Sequence, residues 1–394
     1  MEYKFKGKLC LSDERNVAFK LINGKLLLPQ NFNLFFNIDS RNVILVGVTD
    51  KDEEIHILVD YFWFCEGGFE VRNNEEVFVA RHVEGFVSVC AVVKPGTFNT
   101  IDSIGFYSHQ IEKITGQRIT GYLNDENSSG MNIKKSLAKY VQEGHEYYMS
   151  IGFVENYPYY GGQLLELKSD RVFDIGMMKE TYRVIKNLLR FMYQKGRPPL
   201  NEVFLRVNER NVGHLFVESL EAKNDVLLPV ECLTFLGWGK RLDNLLNLIA
   251  SHKLYLRHLP INEEDETVIT YGRFLMAIIG LENCLDCLKW YMKDDKNGEN
   301  KLSNRIYKAI KDNEKEISNF FNISVLGKDV EIISKDLAKY RNKIAHGDLK
   351  YELPNNCGYY LQFVSLVILY LQLLEIEFTP EEAKDIVPQI MFAK

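Results

Sequence analysis

"VNERNVGHLFVESLEAKNDV", Val207–Val226, is where the character of the chain changes. Before it, apolar residues alternate with polar ones in short runs rich in β-branched and aromatic side chains. From about Leu227 onward they recur at helical spacing. The period passes from two residues to 3.6, the repeats of a half-buried strand and of an amphipathic helix. Strands first and helices after is the pattern of an α+β chain. It divides the 394 residues into a β-rich part, 1–220, and a helical part, 221–394, each long enough to bury its own core.

On the N-terminal side, "FKGKLCL", "NVILVGVT", "EIHILVDYFWF" and "EVFVARHVEGFVSVCAVV" read as strands separated by turn residues. Asn23-Gly24 in "VAFKLINGKLLLP" is the strongest local hairpin signal, because both positions tolerate positive φ. "HEYYMSIGFVENYPYYGGQLLELK" predicts a second hairpin around Pro158 and Gly161-Gly162. Tyr157, Tyr159 and Tyr160 at that turn suit either turn packing or stacking on bases. One helix interrupts the strands, "MMKETYRVIKNLLRFMYQKGRPPL", ending at Gly196 before Pro198 and Pro199. Lys179, Arg183, Lys186 and Arg190 lie on one side of it, as a solvated face or as a track for phosphates.

On the C-terminal side come "ECLTFLGWGKRLDNLLNLIASH", "VITYGRFLMAIIGLENCLDCLKWYM", "NRIYKAIKDNEKEISNFFN" and "KDVEIISKDLAKYRNKIAH", each helical in period. "TPEEAKDIVPQI" opens on a threonine cap and a first-turn proline. "YYLQFVSLVILYLQLLEIEF", Tyr359–Phe378, has the length of a membrane span. Gln362, Ser365, Gln372, Glu375 and Glu377 interrupt it, so a buried or interface helix is expected and no membrane contact.

Hydrophobic residues make up 46% of the chain and charged ones 26%. That composition excludes disorder and a fibrous repeat. A net charge of −6 argues against nucleic-acid binding over the whole surface and leaves room for a local basic patch. The opening "MEYKFKGKLCLS" lacks the apolar core of a signal peptide. With seven scattered cysteines it fits a reducing cytosol, so a cytoplasmic protein is expected. Cys284 and Cys287 in "CLDC" have no second pair and read as core thiols rather than a zinc site. No metal and no cofactor are expected. Neither "GxxxxGK" nor "GxSxG" occurs, and His252 and His258, flanking Arg257, read as surface polar residues.

"KYRNKIAHGD", Lys339–Asp348, sets an arginine, an asparagine and a histidine at the foot of a helix. Gly347 stands where helices commonly end, which lets His346 leave the helical path and Arg341 swing towards it. The negative end of the helix dipole favours an imidazolium there. A histidine to move protons and an arginine fork to hold phosphate oxygens suit a phosphoryl reaction that needs no metal. The same residues serve equally as bonds to the last carbonyls of the helix.

"YRNKIAHG" resembles the signature of HEPN domains, helical proteins whose pattern is Arg-Asn, a few residues, then His. "RFLMAIIGLENCLDCL" is similar to their companion helix, with Glu282 at its acidic position and Asp286, one turn later, as the competing choice. "FKGKLCLSDERNVAFKLINGKLLL", "QKGRPPLNEVFLRV" and "YGRFLMAIIGLEN" resemble the ApeA-like branch of that family over most of the chain. The resemblance implies a β-rich regulatory or sensing domain followed by an all-α HEPN bundle. It implies a metal-independent endoribonuclease of bacterial anti-phage abortive infection, with Arg341, Asn342, His346 and Glu282 catalytic. RNA is the implied partner, together with a homodimer through the bundle and a phage-encoded trigger. Arg183, Lys186, Arg190 and Lys343 are the candidate RNA contacts. Two other readings stand beside it, a non-catalytic HEPN scaffold binding nucleotide, RNA or protein, and a β-domain receptor for a phage component.

Overall fold

The computed structural model describes residues 3–10, 16–29, 41–72, 75–108, 111–115, 135–153, 163–193, 200, 202–217, 234–235, 237–260, 267–287, 301–347 and 352–391. The chain is α+β. It divides into two compact units, 1–113 with 117–183 and 199–227, and 114–116 with 184–198 and 228–394. The expected boundary near residue 220 lies outside the described residues. The second unit also takes 184–198, a segment from the middle of the β-rich part.

The first unit opens with β1 (Lys4–Cys10), β2 (Asn16–Ile22), β3 (Lys25–Pro29), β4 (Val43–Thr49), β5 (Glu54–Arg72) and β6 (Glu75–Val93). They pair antiparallel in the order β3-β2-β1-β4-β5-β6, and β3 returns to pair with β6, closing a barrel. Closure leaves no free strand edge in that ring. Inward side chains fill it, among them Leu9, Phe19, Leu21, Leu26, Ile55, Ile57, Val83 and Val87. Asn23 and Gly24 turn β2 into β3 with φ of 45° and 85°, the positive pair that a tight hairpin of matching twist requires.

The second half of β6 pairs with β12 (Arg210–Val217) and extends the sheet beyond the barrel. β11 (Glu202–Val207), β7 (Ser103–Tyr107), β10 (Gln163–Ser169), β9 (His145–Phe153) and β8 (Lys135–Gln142) follow in space. The β9–β10 hairpin has the expected partners, with Phe153 opposite Gln163. Its turn, with Tyr157, Tyr159 and Tyr160, lies outside the described residues. In this sheet Glu166 and Arg206, both buried, form an ion pair of 2.7 Å.

The helices are α1 (Ile111–Thr115), α2 (Ile175–Tyr193), α3 (Lys240–Ala250), α4 (Tyr271–Cys287), α5 (Leu302–Asp312), α6 (Glu314–Phe320), α7 (Val330–Ala345), α8 (Cys357–Glu375) and α9 (Pro380–Met391). The division between the units falls within α2; its expected end at Gly196 lies outside the described residues. α3 starts at Lys240, later than the periodicity of "ECLTFLG" predicts, because Gly237 and Gly239 take φ of 81° and 52° and hold the chain in a turn. "NRIYKAIKDNEKEISNFFN" is two helices rather than one. Asn313 breaks it, bonding the carbonyl of Ala309 at 2.8 Å and accepting from the Tyr370 hydroxyl at 3.2 Å. An asparagine that can satisfy groups on both sides competes with the backbone ladder.

α4 packs against α5, α7 and α8, and α9 against α6 and α8. Thr379 and Glu382 form a reciprocal capping box at the start of α9. α8 is the one described helix long and apolar enough to cross a membrane, and 67% of its apolar window is buried inside the fold. That is the environment of a core helix, as its interrupting glutamines and glutamates suggest.

Candidate functional site

The site is built where α7 ends beside the middle of α4. Asp329 caps α7, its carboxylate accepting from the Ile332 amide at 2.8 Å. Val330, Ile333, Ser334, Leu337 and Tyr340 form the buried stripe of the helix. Tyr340 is the last of them. Its ring meets Phe274 of α4 at 5.7 Å and Tyr360 of α8 at 6.0 Å, edge to face in both cases. These contacts set the roll of α7 about its axis. The next residue, Arg341, is thereby carried to the rim of the stripe, facing α4.

There Arg341 Nε donates to Glu282 Oε2 at 3.1 Å. Arg341 Nη1 donates to Asn342 Oδ1 at 3.4 Å. The arginine side chain is 34% exposed and the glutamate 25%, so the pair is held in place and still reached by solvent. Charge-assisted bonding of this kind fixes a planar fork for a second anion.

Asp286, the competing carboxylate, lies elsewhere. It accepts from Nη2 of Arg305, a buried residue of α5, at 2.5 Å. α4 thus offers two carboxylates one turn apart, and each takes an arginine from a different helix. Glu282 is the partner of Arg341.

His346 is the C-cap of α7. Its amide bonds the Asn342 carbonyl at 3.1 Å, and Gly347, with φ of 68°, bonds the Ile344 carbonyl at 3.0 Å. The helix ends at the glycine as its position predicts. The His346 side chain is exposed and has no bonding partner among the described residues. Arg341 turns to Glu282 and not to His346. The fold therefore brings Arg341, Asn342 and Glu282 into one bonded set and leaves His346 exposed at the end of the same helix.

The candidate RNA contacts on α2 have other attachments. Lys179 reaches Asp60 at 2.9 Å, Arg183 pairs with Glu180 at 2.7 Å, and Arg190 Nη2 bonds the Leu259 carbonyl at 2.9 Å. Burial lowers the pKa of Arg190. Lys186 is partly buried on the same helix. All four side chains of this face are partly buried. Lys343 is exposed in the last turn of α7, between Arg341 and His346, and remains near the candidate site.

His258 corrects the surface reading. It is buried, its ring lies parallel to Tyr255 at 6.1 Å, and its Nδ1 has no hydrogen-bond partner among the described residues. Burial, helped by the Arg190 charge, lowers its pKa to about 3. A buried histidine can be read as a polar surface residue because nothing in "RHLPI" distinguishes the two. Cys284 is buried, and its pKa is raised by loss of hydration, as for a core thiol. Among the described residues no group of three or more His, Cys, Asp or Glu side chains is gathered as a metal ion would need.

No protein-family model matches this chain, and no curated protein or solved structure matches it.

Proposed function

We propose that the chain is a metal-independent endoribonuclease of the HEPN type, acting in bacterial abortive infection. The observation that carries this reading is the 3.1 Å bond between Arg341 Nε and Glu282 Oε2, with His346 at the end of the same helix. In the proposed reaction a ribose 2′-OH attacks the adjacent phosphorus and the bond from phosphorus to the 5′-oxygen breaks. The products are a 2′,3′-cyclic phosphate and a free 5′-OH. His346 moves the proton. The partly exposed Arg341 guanidinium stabilises the charge that develops on the phosphoryl oxygens. Glu282 and Asn342 orient Arg341. Lys343 adds a cation where the dipole of the α7 C-terminus would otherwise repel phosphate.

Attack and departure each need a proton moved, and the chain brings one histidine to this place. A homodimer joining two helical units about a two-fold axis supplies the second. α8, expected at or near such an interface, is largely buried within its own unit. The proposed interface therefore uses the exposed last turn of α7.

Purified protein is incubated with single-stranded RNA and EDTA, beside His346→Ala and Arg341→Ala proteins. Cleavage that leaves 2′,3′-cyclic ends and is lost in both variants is expected. Equal cleavage by all three proteins sinks the reading.

One observation favours a second reading, a non-catalytic HEPN scaffold that binds RNA or nucleotide. His346 has no partner among the described residues to orient it. On that reading Arg341→Ala weakens ligand binding and no protein cuts.

A further inference from the structure

Tyr360, in the first turn of α8, is buried, and a phenylalanine would fill its place in the core equally well. A buried phenol hydroxyl costs its hydration unless it is bonded. Here it donates to Asp336 Oδ2 at 3.4 Å. The same oxygen accepts from Lys328 Nζ at 2.5 Å, so the carboxylate is held from two sides. Loss of hydration raises the pKa of the hydroxyl to about 12, which keeps it a donor. The Tyr360 ring meets Tyr340 at 6.0 Å, edge to face. Asp336 and Tyr340 are four residues apart on α7, neighbours on one face of the helix. One side chain of α8 therefore grips α7 at two levels, a turn apart.

Two grips fix what one leaves free. A helix held at a single point can still turn about its axis, and a shift of one residue rotates a side chain by about 100°. Arg341 follows Tyr340 directly, so such a turn would carry its guanidinium away from Glu282 on α4. The start of α8 is also tied to the approaches of both helices. Asn356 Nδ2 donates to the Leu326 carbonyl, before α7, at 3.4 Å. A Cβ placed on Gly358 would lie 3.4 Å from Ile269 Cδ1, before α4. Tyr360 thus stands where the two helices that carry the candidate site are joined.

We propose that Tyr360 is a positioning residue of this site, whose hydroxyl and ring together set the rotation of α7 at which Arg341 meets Glu282. Its effect on RNA cleavage rests on the ribonuclease reading above. Its effect on the bond between Arg341 and Glu282 does not.

The test uses the full chain, isotope-labelled for NMR, and follows the Nε–H of Arg341, whose signal is assigned by its loss in Arg341→Lys. Solvent exchange of that proton and cleavage of single-stranded RNA are measured in Tyr360→Leu, Tyr360→Phe and Asp336→Asn proteins, each checked by its thermal melt. Tyr360→Leu is expected to speed the exchange about tenfold, as for the loss of one ordinary hydrogen bond. It should lower kcat by about 10–100-fold with KM little changed, the pattern of a misplaced catalytic group. Tyr360→Phe, which keeps the ring, recovers most of both. Asp336→Asn, at a partly buried position, moves both in the same direction by less, and it decides the matter if the leucine protein does not fold. Parental exchange in the folded Tyr360→Leu protein, or in Asp336→Asn in its place, overturns the proposal. If the chain cuts no RNA and Tyr360→Leu still loosens the Arg341 proton, the ribonuclease reading fails and the positioning role stands. If it cuts RNA and the Arg341 proton is indifferent to Tyr360, the positioning role alone fails.

Discussion

Arg341 of α7 and Glu282 of α4, 59 residues apart in the chain, are joined by a hydrogen bond of 3.1 Å from Nε to Oε2. That bond, with the contact from Nη1 to Asn342 Oδ1, holds the guanidinium while 34% of the side chain stays in solvent. A carboxylate at this distance also keeps the charge localised and the fork from rotating, which is what a preorganised phosphate contact needs.

On the proposed function, removing that fork should affect RNA cleavage more than the fold. Arg341→Ala is expected to lower RNA cleavage by about 10²–10³-fold, the usual loss for one preorganised donor. Its melting temperature should stay within a few degrees of the parent, because the pair is partly exposed. Glu282→Gln keeps an acceptor for Nε and should lose only about tenfold, since a neutral acceptor forms the weaker bond. Single-turnover rates with excess protein measure both. A Glu282→Gln protein less active than Arg341→Ala would contradict these roles.

Asp286 and Arg305 should behave in the opposite way. Asp286→Ala leaves the Arg305 guanidinium, 8% exposed, without its 2.5 Å partner. A buried donor left unmade costs about 1–3 kcal/mol. Urea unfolding is expected to shift by that amount while the cleavage rate per folded molecule is kept. Unchanged stability, or a specific loss of cleavage, would show that Asp286 serves Arg341 instead.

His258 makes stability depend on pH. Its pKa is about 3 in the folded chain against the ordinary 6.5. Below pH 6.5 the unfolded chain takes up a proton that the folded chain refuses, so stability falls as pH falls. The slope approaches about 1.4 kcal/mol per pH unit, or roughly 2 kcal/mol between pH 6.5 and 5. His258→Gln removes the group, and its stability should change less across that interval. Parallel stability curves for the two proteins would refute the assignment.

The Glu166–Arg206 pair of the second sheet region is buried on both sides, with side-chain exposures of 0% and 3%. Glu166→Ala removes the carboxylate that balances the buried Arg206 charge, leaving its bond to the Glu209 carbonyl, and is expected to destabilise by about 3–5 kcal/mol. Replacing both residues with apolar ones of similar size should recover most of the loss. Chemical denaturation of single and double variants separates the two outcomes, and a single variant as stable as the double would show that the pair is not coupled.

Much of this architecture is local in origin and so is legible in the sequence. The Asn23-Gly24 turn, the Gly347 helix end and the Thr379 cap each depend on the conformational preferences of a few consecutive residues. The break at Asn313 escaped the same reading because its stabilising partner, the Tyr370 hydroxyl, lies 57 residues away. The burial of His258 escaped it for a similar reason. Histidine is amphipathic, and only the neighbours that enclose it decide whether it is wet.

At the candidate site the division is sharpest. Sequence alone determined that an arginine, an asparagine and a histidine stand at the end of one helix, since spacing along a helix is a property of the chain. Which carboxylate meets the arginine was not determined, because Glu282 and Asp286 differ by a single turn and both point towards the same side. Tertiary packing decided it. Tyr340, wedged between Phe274 and Tyr360, sets the rotation of α7, and Arg305 occupies Asp286. Barrel closure is likewise a tertiary fact, for the pairing of β3 with β6 is a contact between strands more than fifty residues apart, and periodicity carries no information about which edges meet.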